Sequence, residues 1–253
     1  MANSAEPKVK SLFKAIKLLE CFTKERPEWT ITELAQELNL LVSSTHNMVT
    51  TLEMGRLLRK NEITGKYRLG LKILEYSNTI SATDNLRSIV QPYMDRISEK
   101  TGERCLFAQY YNQQVIYLAA SEPNTHLRNM SIIGERAPLY CTGVGKAILA
   151  HLPEEQLEAV LSEPFKAFTH MTITDPQVLR DELKRIRLQG YAVDDMEHEY
   201  GIRCVAVPLH TMQGEAHAAF SLTGPSLRFE SDRIPELAAL LQELAAATSK
   251  LLM

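Results

Sequence analysis

Cysteine is scarce in this chain. Cys21, Cys105, Cys141 and Cys204 are scattered through 253 positions. None is spaced for a zinc site or a redox pair, so the four are read as reduced thiols in a cytoplasmic protein, with no metal and no other cofactor expected. Long apolar runs are lacking as well, and no stretch is long enough to cross a bilayer, which leaves no membrane partner. The opening residues carry Glu6, Lys8, Lys10, Lys14 and Lys17 and no uninterrupted apolar segment, so no signal peptide is expected. Internal repeats and low-complexity tracts are missing, which excludes a solenoid, and residues 1–8 lack periodicity and read as a loose arm.

Folding material, by contrast, is ample: 45% of the residues are hydrophobic and 23% charged, enough for about two globular domains. The net charge of −3 argues against a nucleic-acid binder until it is divided along the chain. Residues 1–72 hold twelve Lys and Arg against eight acids, whereas residues 73–253 hold sixteen against twenty-three. A basic end beside an acidic remainder is the distribution of an N-terminal DNA reader.

The basic end contains two short helical patterns and a tight turn. Val9, Leu12, Phe13, Ile16, Leu19 and Phe22 mark a leading amphipathic helix that ends before Pro27. Thr30 and Thr32 are possible N-caps of the next helix, and Thr30 with Glu33 has capping-box spacing. Asn39 occupies the turn, where it tolerates the left-handed conformation. The following helix starts at Ser43 or Ser44, runs to about Met54 and stops at Gly55. Leu57–Lys60 and Tyr67–Leu69 then read as the two strands of a wing joined through Thr64-Gly65.

Such a helix-turn-helix places its second helix in the major groove. Ser43, Ser44, Thr45, His46, Asn47 and Thr50 form the polar face that can meet phosphates and base edges. Lys66 and Arg68, with Arg59 and Lys60, can neutralise phosphates. The second helix has no Lys or Arg before Arg56, so the usual Arg-to-guanine contact is missing. Asn47 can pair with adenine and threonine methyls can touch thymine, which predicts A·T pairs at the core contacts. Small winged units also serve as protein-interaction modules, and the clustered cations argue against that use here.

Beyond the wing, Leu71–Ile80 and Leu86–Ile97 suggest two helices, the second stopped by Thr101-Gly102. Strands are expected at Arg104–Tyr111, Val115–Ala120, Arg203–Pro208 and His217–Thr223, and helices at Cys141–Leu152, Pro153–Leu161, Pro176–Leu188 and Arg233–Leu252. Strands mixed with helices predict an α+β domain with an antiparallel-rich sheet. Thr142-Gly143-Val144-Gly145-Lys146 reads as a glycine-containing turn opening a helix, where backbone N–H groups suit an anion or simply pack closely. It lacks Walker spacing and a Ser or Thr after the lysine, so nucleotide hydrolysis is rejected. Asp194, Asp195, Glu197, His198 and Glu199 could hold a divalent ion, but such a run is more often a solvated turn. Cys204 has no partnered histidine at a nucleophile motif, so catalysis is not expected.

The helix pair followed by TGKYRLG at 64–70 resembles the IclR family of bacterial transcriptional regulators. So do APLYCTGVGKAILAHL at 137–152, GYAVDDMEHEYGIRCVAVPL at 190–209 and AAFSLTGP at 218–225, in that order. The resemblance spans roughly Lys8 to Leu252. It implies a winged helix-turn-helix domain over 1–70, a linker helix over 71–85 and a GAF-like effector-binding domain over 86–253. It also implies double-stranded operator DNA as partner, homodimers joined through the DNA-binding domains and assembling into homotetramers, and a small organic acid effector. Family members bind short 2-oxo acids, sugar acids or aromatic acids; many repress catabolic operons and some activate them.

By motif position, Gly143 and Val144 would offer backbone N–H groups to the effector carboxylate. Asp194 and Cys204 match a further pair of contacts, with Asp194 accepting from a ligand hydroxyl or a water. Ser221 and Thr223 match two hydroxyl residues on one face of a strand. Met130, Ile132, Leu139 and Tyr140 are candidates for setting pocket depth and equally for core packing. Two departures stand out. The family's recognition helix begins with Pro, a basic residue and Ser-Thr, and has Arg two positions after that Thr. This chain has Leu41-Val42-Ser43-Ser44-Thr45-His46-Asn47, with Asn47 in place of Arg and Asn39 in place of the turn glycine.

Overall fold

The apolar stripe that starts at Val9 forms a helix, α1 (Lys10–Glu20), but only part of that stripe faces inward. Leu18 is buried and Phe22 just beyond it nearly so, while Val9, Leu12, Phe13 and Ile16 stay exposed. The computed structural model describes residues 6–83, 85–123, 132–210 and 214–249. The chain divides into two units, Met1–Asp84 and Asn85–Met253.

In the first unit α2 (Ile31–Glu37) is opened by the predicted capping box. The Glu33 N–H donates to Thr30 Oγ1 at 3.2 Å, and the Thr30 N–H donates to Glu33 Oε2 at 2.7 Å. Helix α2 is closed by Asn39 at φ 51°, with the Leu40 N–H on the Ala35 carbonyl and the Asn39 N–H on that of Gln36. This pair of bonds satisfies the last carbonyls of α2 and turns the chain. Helix α3 (Val42–Met54) begins a residue earlier than expected, after Leu41. It runs to Met54 with Gly55 as its cap, as expected. Gly55 keeps a right-handed backbone, and Arg56 takes the left-handed position at φ 60°. Gly70 allows this, since a Cβ there would lie 2.1 Å from the Arg56 carbonyl oxygen.

Strands β1 (Leu58–Lys60) and β2 (Tyr67–Leu69) pair antiparallel as the wing, and Trp29 bridges to Tyr67 beside them. Leu18, Phe22, Trp29, Leu34, Val49, Leu58 and Tyr67 form the core of this unit. In the span expected to be a linker the chain forms α4 (Lys72–Thr83), which falls within the first unit; Leu74 and Ile80 on it, and Leu71 just before it, are exposed.

The second unit opens with α5 (Asn85–Thr101), followed by β3 (Arg104–Tyr111), β4 (Gln114–Ser121) and β5 (Arg136–Pro138). Next come α6 (Gly143–Leu149), α7 (Glu154–Leu161), α8 (Pro176–Gln189), β6 (Ala192–Asp195), β7 (Ile202–His210), β8 (Ala216–Pro225) and α9 (Arg233–Ser249). The six strands form one sheet in the order β5-β4-β3-β8-β7-β6, each pair antiparallel. Helices cover both faces. Leu106, Ala108, Cys204, Ala206 and Ala219 pack with α6, α7 and α8. Cys105, Phe107, Val205, Val207 and Phe220 pack with α5 and α9 on the other side. Both faces are therefore apolar, which is why β3, β7 and β8 read as near-continuous hydrophobic runs instead of alternating ones. β5 and β6 were not foreseen: one is three residues ending in Pro138, and the other ends in two aspartates. Among the described residues no helix is long and apolar enough to cross a membrane.

Candidate functional site

Two places in the chain concentrate chemistry. The first is the leading end of α3 and the wing beside it. Ser43, Ser44, His46 and Asn47 are exposed along α3, and Thr50 is half-buried. Thr45 does not belong with them. Its side chain is fully buried, and its hydroxyl donates to the Leu41 carbonyl at 3.2 Å. The helix turns about 100° per residue, so position 45 shares the inward face with Val49 and cannot reach a base edge. Leu41 and Val42, absent from the sequence-based set, are exposed at this same end.

On the wing, Arg59 stands directly opposite Arg68 in the antiparallel register. Like charges in that position repel. Glu28 lies 3.9 Å from Arg68, at the limit of an ion pair, and offsets only part of the repulsion. Lys60 and Lys66 flank the pair on the same hairpin. A cross-strand pair of arginines among lysines is a poor arrangement for a free surface and a good one against a polyanion.

The second place is one face of the large sheet where α6 begins. Strand register sets Asp194, Cys204 and Thr223 in a row across β6, β7 and β8. Ser221, two residues from Thr223, shares its face and pairs with Ala206. Helix α6 starts against this row. A Cβ on Gly143 would lie 2.7 Å from Cys204 Sγ and 3.3 Å from Ala206 Cβ, so only glycine lets the helix approach so closely. Thr142 caps α6, accepting the Gly145 N–H at 3.1 Å and donating to the Pro138 carbonyl at 2.7 Å. The structure thus brings Gly143, Val144, Asp194, Cys204, Ser221 and Thr223 to one place from four segments.

Electrostatics at this row are unusual. Asp194 is buried, and burial pushes its carboxyl up to about 7, against the opposing pull of the Glu197 N–H and the Lys146 charge. Its Oδ1 accepts the N–H groups of Glu197 at 2.8 Å and His198 at 3.4 Å, which pins the turn after β6. Burial also pushes the Cys204 thiol up to about 12, so it stays protonated and unreactive. The Ser221 hydroxyl is buried beside that thiol and is otherwise without a partner among the described residues. A buried hydroxyl left short of hydrogen bonds is costly unless a ligand completes it.

Lys146, read from sequence only as part of a degenerate loop, is 1% exposed and donates to Glu197 Oε1, with Glu182 Oε1 3.8 Å away. This pairing escaped sequence reasoning because its partners lie far along the chain, in helix α8 and beyond β6. The acidic run does not converge. Asp195 pairs with Arg203 at 2.6 Å, Glu197 with Lys146, and Asp194 with backbone N–H groups. Among the described residues, no group of three or more His, Cys, Asp or Glu is placed to hold a metal ion. Leu139 is buried in the core beneath α6, Ile132 and Tyr140 pack partly exposed against that core, and Met130 lies outside the described residues.

A basic winged helix together with a helix-covered antiparallel sheet that holds a half-satisfied polar row is the make-up of a DNA-binding transcriptional regulator. The family profiles agree. The IclR helix-turn-helix domain matches residues 11–62, and the bacterial transcriptional regulator IclR C-terminal domain matches residues 79–250. The chain belongs to the IclR family. It is 33% identical over 240 residues to the acetate operon repressor of Salmonella typhimurium, covering 94% of this chain and 88% of that one. It is likewise 33% identical over 245 residues to the transcriptional repressor IclR of Escherichia coli, covering 95% and 89%. The solved IclR of Thermotoga maritima aligns with a TM-score of 0.73 at 32% identity, over 96% of this chain and 98% of that one. An IclR homolog from Microbacterium hydrocarbonoxydans, solved with 4-hydroxybenzoate, aligns at 0.81 and 26% identity, over 95% and 98%. These relatives are regulators of transcription, and this chain is a regulator of the same kind, not an enzyme.

Proposed function

We propose that the chain is a repressor of a catabolic operon, released from its operator when a small carboxylate binds the second unit. The observation that carries this reading is the Ser221 hydroxyl, buried and incompletely bonded in the row with Cys204, Thr223 and Asp194. The carboxylate is taken by Ser221 and Thr223 with the backbone N–H groups of Gly143 and Val144. Asp194, with its carboxyl held near neutrality, is protonated in part of the population and so tolerates an anion beside it. The repressor sense is supported by the names of the Salmonella and E. coli relatives.

On the DNA side, Ser43, Ser44, His46 and Asn47 meet the groove while Lys66, Arg68, Arg59 and Lys60 hold phosphates. The protein works as a homodimer, and as a homotetramer built from dimers, in the cytoplasm. The exposed stripe Val9, Leu12, Phe13 and Ile16 supports a dimer joined through the DNA-binding unit, since such a patch is otherwise left in water. The test takes duplex DNA selected by the full-length chain from random sequence and measures its mobility shift with and without a panel of short 2-oxo, sugar and aromatic acids. Thermal shift is run on the same panel. One acid that both raises the melting temperature and releases the DNA is expected. Acids that bind without changing DNA affinity would refute the proposal.

A further inference from the structure

The leading end of α3 carries two apolar side chains that nothing in the DNA-binding unit covers. Leu41 is 75% exposed and Val42 53%. They sit where the second helix of a helix-turn-helix presents its first residues to base edges. Their neighbours on the open face are Ser43, Ser44, His46 and Asn47, and α3 holds no lysine or arginine. At this leading end no threonine methyl is available, because Thr45 is turned into the core, and Thr50 and Thr51 lie further along the helix. The open end of α3 therefore offers short hydroxyls, an amide and an imidazole around two aliphatic side chains.

In the major groove the apolar feature is the C5 methyl of thymine. The partner of this patch also carries negative charge, since Arg59 and Arg68 face each other on the neighbouring wing with Lys60 and Lys66 beside them. Duplex DNA combines both properties, whereas the wing face of a second copy carries the same positive charge and would be repelled at this patch. We propose that Val42, with Leu41 beside it, reads thymine in the operator by packing on its C5 methyl. Specificity at that base pair then comes from apolar contact instead of a bidentate hydrogen bond. This rests on the DNA-binding function of the family and names the residues and base feature that set specificity here.

The test uses full-length protein and the duplex it selects from random sequence. Each thymine is replaced singly by deoxyuridine, which removes only the methyl, and affinity is read by fluorescence anisotropy. Wild type is expected to lose roughly fourfold at one or two thymines per half-site, the effect of one buried methyl group. Val42→Ala is expected to bind the thymine duplex correspondingly more weakly and to be indifferent to deoxyuridine at one of those positions. Leu41→Ala tests the second position in the same way. Alanine is a better helix former than valine, and circular dichroism confirms that the variant is folded. Wild type indifferent to every thymine methyl would overturn the proposal. So would a Val42→Ala variant that keeps the full preference for thymine, or variants with unchanged DNA affinity that alter only the sedimenting mass. Failure of the wild type to select any duplex at low salt would instead remove the DNA-binding reading itself.

Discussion

Asp194→Asn is expected to make the second unit more stable at pH 8 than at pH 5 relative to wild type. The folded chain holds the Asp194 carboxyl at about 7, against an ordinary 3.8, because burial disfavours the charged form. Folding therefore favours the proton. Below about pH 4 the group is protonated in both states and contributes no penalty. Between there and pH 7 the unfolded chain ionises first, so stability falls as pH rises, by about 1.4 kcal/mol per unit. Above pH 7 the loss levels off at roughly 4 kcal/mol. Asparagine cannot ionise, yet its carbonyl oxygen can still accept the Glu197 and His198 N–H groups now held by Oδ1. The difference in unfolding free energy should therefore widen by about 2–3 kcal/mol from pH 5 to pH 8. Urea denaturation followed by far-ultraviolet circular dichroism at both pH values measures it, and titrating groups that do not interact with Asp194 cancel between variant and wild type. A stability difference that stays flat across this range would refute the reasoning.

Gly143→Ala should destabilise the second unit by about 1–3 kcal/mol, since its Cβ would lie 2.7 Å from Cys204 Sγ. Cys204→Ala in the same chain removes that sulfur and should recover part of the loss in a thermal melt. Lys146→Met leaves Glu197 buried without its cation and should cost about 3 kcal/mol or more; Lys146→Met with Glu197→Leu should regain most of it in urea unfolding. Arg56→Gly relieves a left-handed residue and should stabilise the first unit by about 1 kcal/mol, read in a melt of the isolated transition. Lys66→Ala should weaken binding similarly across DNA sequences and reduce the slope of log affinity against log salt by about one.

Much of the organisation was legible from local chemistry. The Thr30–Glu33 capping box, the Asn39 turn and the wing strands follow from residues within a few positions of one another. The long strands β3, β7 and β8 announced themselves by apolar runs, and the family motifs singled out Gly143, Asp194, Cys204, Ser221 and Thr223, which the fold brings close to one another. Signals that depend on distant neighbours were misread or missed. Thr45 looked available because its hydroxyl is polar, but the packing of α3 on the core decides which face is covered. Gly55 ends α3 as its place in the sequence suggests, but the left-handed residue that follows is Arg56, because Gly70 leaves room for its carbonyl.

The amino-acid order alone therefore determined the two-part plan, a basic helix-turn-helix end followed by an acidic α+β unit, since charge partition, caps and hydrophobic period are properties of neighbouring residues. Only the tertiary structure decided that the stripe on α1 stays partly open, that Lys146 is spent on Glu197, and that Leu41 and Val42 face outward. Each of these depends on which surfaces meet, and burial is a property of packed elements that no single segment carries.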